Sequence, residues 1–267
     1  MEYLGWSMCR PIYLSGDIHL GAVSRERENS FLRWLDHAGA RAECVILNGD
    51  LFDFWFEYGS VIPRGHTRVL GALAALVDGG VPVVMVGGNH DWWGGSYLEE
   101  EVGVTFLRKP TVVSLAGHRT FLAHGDGLGR GDMGYRMLRL ILRSGPTRWA
   151  FRWIHPDVGA RLARAVSKTD HRATTTPDKK ERARALEGSR ALEGWGVAKL
   201  RSDPTLDLVI LGHTHIPKMT EVGPQRWYIN AGDWVAHHSY LVLEKGADPR
   251  LLEWEVSDPG VEDQPAT

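Results

Sequence analysis

The sequence predicts an α/β fold in which buried strands alternate with helices. Short apolar runs rich in β-branched residues recur along the chain, and segments with helical spacing lie between them. Strands that are continuously apolar are buried on both faces, so helices must cover the outer faces of their sheets. In such folds ligands bind beyond the carboxyl ends of the strands.

Seven runs carry the strand pattern, at residues 11–14, 44–47, 81–86, 120–123, 206–211, 226–229 and 239–243. Residues 25–38 and 67–77 have helical spacing instead. Glycine commonly follows the last residue of a helix. We therefore expect Gly39 to end the first helix, and Gly79 with Gly80 to end the second.

Residues 132–200 interrupt the alternation with a segment in which we identify no strand. Two stretches within it, 133–143 and 157–168, are predicted as helices. We therefore predict one domain over residues 9–256, with a helical cap inserted at 132–200. The polar residues 257–267 are predicted to form a disordered tail.

The composition, 43% apolar and 24% charged, is that of an ordinary soluble globular protein. Two cysteines are too few for a disulfide framework. Because we recognise no secretory signal and no bilayer-spanning apolar run, we expect a cytoplasmic location. The net charge of −2 conceals a basic segment, since residues 130–201 hold 17 Lys and Arg against 7 Asp and Glu. Such a segment favours contact with phosphate, nucleic acid or acidic lipid headgroups.

Five clusters of Asp, Asn and His each follow a predicted strand. They are Asp17-Ile18-His19, Gly49-Asp50 with Asp53, Gly87-Gly88-Asn89-His90-Asp91, His124-Gly125-Asp126 and Gly212-His213-Thr214-His215. One such cluster alone is most often a turn or a cap. Five in this order, each at a strand end, supply enough oxygen and imidazole ligands to hold two divalent metals side by side. The clusters therefore predict a metal-dependent hydrolase.

The ligand types narrow the choice of metal. Two carboxylates, one amide and four imidazoles suit Mn²⁺, Fe²⁺, Co²⁺ or Zn²⁺ better than Mg²⁺ or Ca²⁺. Asp50 could bridge two ions through its two carboxylate oxygens. We expect Asp53, Asp91 and Asp126 to orient the ligand rings or the neighbouring loops.

Taken together, these motifs resemble the signature of the calcineurin-like metallophosphoesterases over residues 10 to 245. The resemblance implies a four-layer α/β/β/α sandwich with a dinuclear site at one edge, filled preferably by Mn²⁺. It implies that one ion is held by Asp17, His19, Asp50 and His215, and the other by Asp50, Asn89, His124 and His213. His90, beside Asn89, would stabilise the phosphoryl transition state or protonate the leaving oxygen.

Residues 48–56 and 124–136 also resemble the UDP-2,3-diacylglucosamine pyrophosphohydrolases of lipid A synthesis. In that family a helical cap follows the fourth motif and holds two acyl chains. The resemblance implies a lipid-linked UDP-sugar as substrate, UMP as a product, and contact of the cap with the cytoplasmic face of the inner membrane. The residues that would meet the substrate are Asp132, Tyr135, Ser167, Lys168 and Arg172.

The sequence allows alternatives for the cap, for the substrate and for catalysis itself. The predicted cap helix at 133–143 is basic and amphipathic, which is typical of a lipid-contacting element, but a helical hairpin with solvated arginines has the same pattern. The best-known pyrophosphohydrolases carry Gly-Asn-Arg-Asp where this chain has His90. A phosphodiesterase or nuclease is therefore the alternative enzyme, although the apolar cap disfavours nucleic acid. A non-catalytic scaffold is disfavoured because all seven candidate ligands and His90 are present.

Overall fold

The computed structural model describes residues 10–129, 133–167, 179–255 and 264–265, and their strands form two mixed sheets. The first sheet contains β1 (Ile12–Ser15), β2 (Cys44–Leu47), β3 (Val83–Val86), β4 (Thr105–Leu107), β10 (Ser239–Leu243), β11 (Arg250–Glu253) and β12 (Gln264–Pro265). The second contains β5 (Thr111–Leu115), β6 (His118–Leu122), β7 (Leu208–Leu211), β8 (Lys218–Gly223) and β9 (Arg226–Asn230). The strand orders are β12-β11-β10-β1-β2-β3-β4 and β5-β6-β7-β9-β8.

Parallel strands form the centre of both sheets. In the first sheet β1, β2, β3 and β4 are parallel neighbours, and in the second β6, β7 and β9 are. The edge strands β5 and β8 are antiparallel to their neighbours. Each of the five polar clusters directly follows one of the parallel strands β1, β2, β3, β6 and β7, so the topology brings their loops together.

Helices cover the outer face of each sheet. On the first sheet these are α1 (Arg25–Arg41) and α2 (Thr67–Asp78). The predicted cap contributes α3 (Met133–Leu142), α4 (Gly145–Phe151), α5 (Pro156–Ser167) and α6 (Lys179–Ser202), of which α6 packs on the second sheet. A π-helical turn lies at Tyr97–Glu101. Trp34 of α1 and Leu73 of α2 belong to a core on the first sheet, and Leu192 of α6 belongs to a core on the second. A third apolar core, which includes Leu14 and Ile210, joins the two sheets. The predicted α/β/β/α sandwich is confirmed.

The prediction that Gly39 ends the first helix was wrong, because α1 continues to Arg41. Gly39 instead lies where α1 meets α2, and a Cβ at this position would overlap the side chain of Leu76. The glycine therefore allows close contact between two helices rather than a turn. Gly79 does follow the last residue of α2, as predicted.

The predicted cap contains four helices among the described residues, of which α4 and α6 were not predicted. The first ten residues of α6, 179–188, are all exposed. No apolar stripe therefore marks this part of the helix in the sequence. Residues 168–178 of the cap lie outside the described residues. So does most of the predicted tail, 257–267, although β12 pairs with β11.

No helix within the described parts of the chain has both the length and the apolar character required to cross a bilayer.

Candidate metal centre

The backbone turns sharply at the residues that the sequence marks as ligands. Five of the eight non-glycine residues with positive φ in the described ranges are Asp17, His19, Asp50, His213 and His215, with φ between 50° and 67°. Non-glycine residues rarely adopt this left-handed conformation, which costs roughly 1–3 kcal/mol each. Such strain concentrates at functional sites. Positive φ thus occurs at five of the seven candidate ligands.

One group of possible metal ligands consists of Asp17, His19 and His215, whose ligand atoms all lie within 4.8 Å of one another. Asp17 Oδ1 lies 3.9 Å from His19 Nε2 and 3.5 Å from His215 Nε2. The two imidazole rings stack with their centroids 5.0 Å apart. The first and fifth clusters, which are almost 200 residues apart in sequence, therefore meet at one point.

A second group consists of Asp50, His124 and His213, again with ligand atoms within 4.8 Å of one another. Asp50 Oδ2 lies 3.2 Å from His124 Nε2 and 3.8 Å from His19 Nε2. The Asp50 carboxylate therefore lies between the two groups. This is the position that a bridging ligand would need.

Among the described residues, four buried side-chain atoms of the candidate ligands have no hydrogen-bond partner. They are Asp17 Oδ1, His19 Nε2, Asn89 Oδ1 and His124 Nε2. Leaving a buried polar group unsatisfied costs about 1–3 kcal/mol, so four together need an explanation. Each belongs to a candidate ligand and each can donate an electron pair to a cation. The residues present therefore fit a pair of divalent metal ions.

Burial shifts the titration of the candidate ligands. It raises the pKa of Asp17, whereas at Asp50 the effect of burial is outweighed by nearby imidazoles, His124 first, which hold the pKa well below its usual range. Burial lowers the pKa of His19 and lowers that of His213 to about 3. Neutral imidazole is the form that binds a metal. Desolvation therefore keeps these two rings in the ligand form.

The Nδ1 atoms of the rings contact neighbouring acceptors, which orients Nε2 toward the centre. His124 Nδ1 donates to the backbone oxygen of Asn48 over 2.9 Å. His19 Nδ1 lies 3.3 Å from Asp53 Oδ1. His90, from the third cluster, donates from Nδ1 to the backbone oxygen of Asp53 over 2.8 Å. Partners of this kind set the tautomer of a metal-binding histidine.

Of the three carboxylates predicted to orient rings or loops, Asp53 contacts the His19 ring and Asp91 contacts two loops. Asp91 accepts hydrogen bonds from the backbone nitrogens of Leu51, over 2.7 Å, and Gly88, over 2.8 Å. Burial, with a smaller contribution from Asp50, raises the pKa of Asp91 to about 7. Asp91 thus joins the second and third loops.

The third carboxylate, Asp126, contacts the cap. Its Oδ2 accepts hydrogen bonds from Arg139 over 3.1 Å and from Arg143 over 2.8 Å. The fourth loop is therefore linked to the region around the end of α3.

Sequence reasoning missed three polar residues at the site: Asn48, Asn230 and Asp233. All three are buried. Asp233 Oδ2 lies 3.0 Å from His215 Nδ1, and Asn230 donates to the backbone oxygen of Gly212 over 2.8 Å. A signal was available, because Asn230-Ala-Gly-Asp233 follows a strand and resembles Asn48-Gly-Asp.

The predicted substrate-contacting residues fall in the least described part of the chain. Asp132, Lys168 and Arg172 lie outside the described residues. Tyr135 lies in α3 and Ser167 in α5, but their side chains are also outside the described set. Their roles remain predictions.

A sandwich of two mixed sheets with paired Asp and His groups at its strand ends defines a metal-dependent phosphoesterase. Residues 10–217 match the family model of the calcineurin-like phosphoesterases, and the chain belongs to that family. It is therefore a metal-dependent hydrolase of phosphoesters or pyrophosphates.

Two relatives align with nearly the whole chain. A UDP-2,3-diacylglucosamine hydrolase of Porphyromonas gingivalis is 32% identical over 245 residues, which cover 87% of this chain and 94% of the relative. A UDP-2,3-diacylglucosamine hydrolase of Aeromonas hydrophila is 30% identical over 233 residues, which cover 86% of this chain and 93% of the relative. Among solved structures, vacuolar protein sorting 29 of Cryptosporidium parvum matches with a TM-score of 0.48 and 16% identity over 96% of both chains.

Proposed function

We propose that the chain hydrolyses the pyrophosphate bond of UDP-2,3-diacylglucosamine, giving UMP and 2,3-diacylglucosamine 1-phosphate, a step of lipid A biosynthesis. The observation that carries this proposal is the alignment of more than 85% of the chain with hydrolases of that name. The candidate metal centre supports it, because paired metals suit in-line attack on phosphorus. The relatives are matched over 93% or more of their own length, so the similarity extends well beyond the short motifs of the metal site.

We assign two divalent cations, preferably Mn²⁺, to the two groups of ligands. One ion would be held by Asp17, His19, Asp50 and His215, and the other by Asp50, Asn89, His124 and His213. The position of Asp50 between the groups supports its role as the bridge. The unpartnered Asn89 Oδ1 supports the assignment of the amide as a ligand. The mixed oxygen and nitrogen set favours Mn²⁺, Fe²⁺, Co²⁺ or Zn²⁺.

Bound metals would supply Lewis-acid stabilisation of the phosphoryl oxygens and lower the pKa of a water. His90 adds a proton donor that belongs to the chain itself. Its Nδ1 donates to the Asp53 carbonyl, which directs Nε2 toward the site, 4.0 Å from Asp50 Oδ2. Its backbone nitrogen donates to Asp50 Oδ1 over 2.9 Å, so the spacing between ring and carboxylate is held. From this position His90 can stabilise the transition state or protonate the leaving oxygen.

The surface of the cap supports a lipid substrate. Eight of the ten exposed large hydrophobic side chains among the described residues fall between residues 137 and 162. Trp149 and Trp153 are 65% and 77% exposed, and Arg152 and Arg161 are exposed in the same segment. Apolar surface interleaved with arginine is typical of contact with anionic lipid. We therefore propose that the cap contacts the acyl chains and the cytoplasmic face of the inner membrane. The headgroup would meet Asp132, Tyr135, Ser167, Lys168 and Arg172.

The test is phosphorus NMR of Mn²⁺-loaded protein with UDP-2,3-diacylglucosamine. UDP-N-acetylglucosamine, which lacks the two long acyl chains, is the matched substrate, and Asn89→Ala is the matched variant. We expect the pyrophosphate resonances of the lipid to be replaced by those of two phosphomonoesters. The sugar nucleotide without long acyl chains and the variant should give little or no product.

Two outcomes separate the parts of the proposal. If the protein cleaves an aryl phosphodiester but leaves the diacyl substrate intact, the substrate assignment fails and the phosphoesterase chemistry stands. Equal turnover of the lipid by native protein and Asn89→Ala would refute the assigned ligand role of Asn89.

A further inference from the structure

The loop that follows β9 surrounds part of the candidate metal centre. We call residues 230–238, which begin with the last residue of β9, the sixth loop, because this segment comes after the five clusters in sequence. Asn230 Nδ2 donates to the Gly212 carbonyl over 2.8 Å and to Thr214 Oγ1 over 2.9 Å. The backbone nitrogen of Trp234 donates to the Asp17 carbonyl over 3.1 Å. The sixth loop thus holds the backbone on both sides of the group formed by Asp17, His19 and His215.

Asp233 is the one acidic residue of this loop, and its side chain is buried with 3% exposure. Oδ2 accepts a hydrogen bond from His215 Nδ1 over 3.0 Å. Oδ1 accepts from the backbone nitrogens of Ala236 and His237, over 3.1 and 3.0 Å, and from His237 Nδ1 over 2.9 Å. Both carboxylate oxygens of Asp233 therefore accept hydrogen bonds. Its orientation is set by three donors on one side and a candidate ligand on the other.

This geometry determines which nitrogen of His215 faces the metal centre. A carboxylate has only acceptor capacity, so the hydrogen in this contact must be on Nδ1. Nε2 then lies toward Asp17 Oδ1, at 3.5 Å. The neighbouring ring of His124 uses a backbone carbonyl for the same purpose. Substitution of Asp233 can therefore test the contact to His215. The backbone carbonyl that His124 contacts is present in every variant and cannot be tested in this way.

We propose that Asp233 is a positioning residue of the metal centre, which acts through His215 and is itself braced by His237. Nothing in the five clusters assigns a role to either residue. The proposal rests on the proposed two-metal site, and it concerns only the ion assigned to Asp17, His19, Asp50 and His215. Loss of an outer-shell partner of a metal-binding histidine typically weakens metal affinity by about 10- to 100-fold.

The experiment compares Mn²⁺ binding to the metal-free native chain, Asp233→Ala and Asp233→Asn by isothermal titration. Asp207→Asn is the matched control, because Asp207 also accepts a backbone hydrogen bond, from Arg119 over 2.7 Å, and belongs to neither ligand group. We expect two ions in the native chain and in the control. In Asp233→Ala one ion should bind about 10- to 100-fold more weakly. Asp233→Asn, which keeps an acceptor but loses the charge, should fall between.

A second readout concerns the ring itself and needs no metal. Nitrogen-15 NMR of histidine-labelled, metal-free protein at about pH 9, where neutral rings dominate, reports the tautomer of His215. We expect hydrogen on Nδ1 in the native chain and a mixture of tautomers in Asp233→Ala. Circular dichroism and thermal melting show whether each variant is folded. If Asp233→Ala is unfolded, Asp233→Asn decides the question.

The outcomes distinguish this proposal from the proposed function. Two ions bound with unchanged affinity in a folded Asp233 variant, with the tautomer of His215 also unchanged, would overturn the role of Asp233 and leave the two-metal site intact. A native chain that binds fewer than two ions would overturn the proposed site, and the role of Asp233 with it.

Discussion

Arg143 donates a hydrogen bond to Asp126 Oδ2 over 2.8 Å, which connects the cap to the fourth metal-site loop. The same guanidinium donates to the backbone oxygen of Gly88 over 3.2 Å, and its central carbon lies 4.9 Å from the centroid of the Trp92 ring. Gly88 and Trp92 flank Asn89 and His90 in the third loop. One arginine at the end of α3 therefore touches two loops that carry candidate ligands. We therefore expect the geometry of the site to depend on this contact with the cap.

Replacing Arg143 by Gln is expected to lower turnover more than it lowers stability. The free energy of unfolding should fall by only about 1 kcal/mol, because Arg139 remains within 3.1 Å of the same carboxylate. Turnover should fall by about 10- to 100-fold, since small displacements of a catalytic loop have effects of this size. Arg68→Gln, at an exposed arginine of α2 outside the cap, is the control. The idea fails if both variants have the same kcat and the same melting temperature.

Replacing Gly88 by Ala is expected to abolish the binding of two metals. A Cβ at Gly88 would overlap the Asp50 carboxylate and come within 2.5 Å of its backbone nitrogen, so Asp50 would have to move. Gly188, in α6, has open space around it. Ala at that position should stabilise the helix by roughly 0.5–1 kcal/mol. Equilibrium dialysis against Mn²⁺ measures the bound ions. If Gly88→Ala still binds two ions, the assignment of Asp50 as the ligand between the two metals is wrong.

His66 is expected to make the fold sensitive to acid. Burial lowers its pKa to about 4, with the ring centroid 4.8 Å from that of Phe52, whereas an unfolded histidine titrates near 6.5. Between these values the unfolded chain binds a proton that the folded chain does not. The free energy of unfolding is therefore retained above about pH 6.5 and falls as the pH drops toward 4.

The measurement for His66 is urea unfolding at several pH values between 4 and 8. In His66→Gln the fall should be shallower, by up to about 1.4 kcal/mol per pH unit. His155→Gln, at a histidine that is 71% exposed, should follow the native curve. Identical slopes for native protein and His66→Gln would show that burial of this ring does not drive the acid sensitivity.

Added Mn²⁺ is expected to raise the melting temperature of the metal-free protein. A ligand that binds only the folded state stabilises it by about 2.7 kcal/mol at one hundred times its Kd. In Asp50→Asn the gain should be much smaller, because the carboxylate between the two ligand groups is lost. Differential scanning calorimetry with and without a chelator measures the shift. An equal rise in melting temperature for the native protein and Asp50→Asn would show that Asp50 is not a metal ligand.

Replacing Trp153 by Ser is expected to weaken binding to vesicles that contain anionic lipid, without loss of stability. The side chain is 77% exposed, so its removal leaves no cavity in the folded protein. Val61→Ser, at a residue that is 47% exposed outside the cap, should bind vesicles like the native chain. Sedimentation with vesicles measures the bound fraction. If both variants bind equally, Trp153 has no part in membrane contact.

Much of the fold was predictable because its central strands are buried on both faces and are therefore continuously apolar. β1, β2, β3 and β7 each contain four residues that are all buried. The strands that were not predicted include β4, β5 and β8, which lie at sheet edges. Edge strands have one open side, and their residues are partly exposed. The apolar sequence pattern that marks a strand is therefore weaker in these edge strands.

The sequence by itself determined the five clusters, because ligand chemistry requires particular side chains and glycines at strand ends. The tertiary structure decided which clusters meet, since pairing across two sheets depends on strand order rather than on position in the chain. It also decided the partners around the ligands. Asp233 lies 18 residues from His215 in sequence, and Arg143 lies 55 residues from Gly88. Contacts at such separations leave no periodic pattern in the sequence, so the folded chain is needed to show which side chains they join.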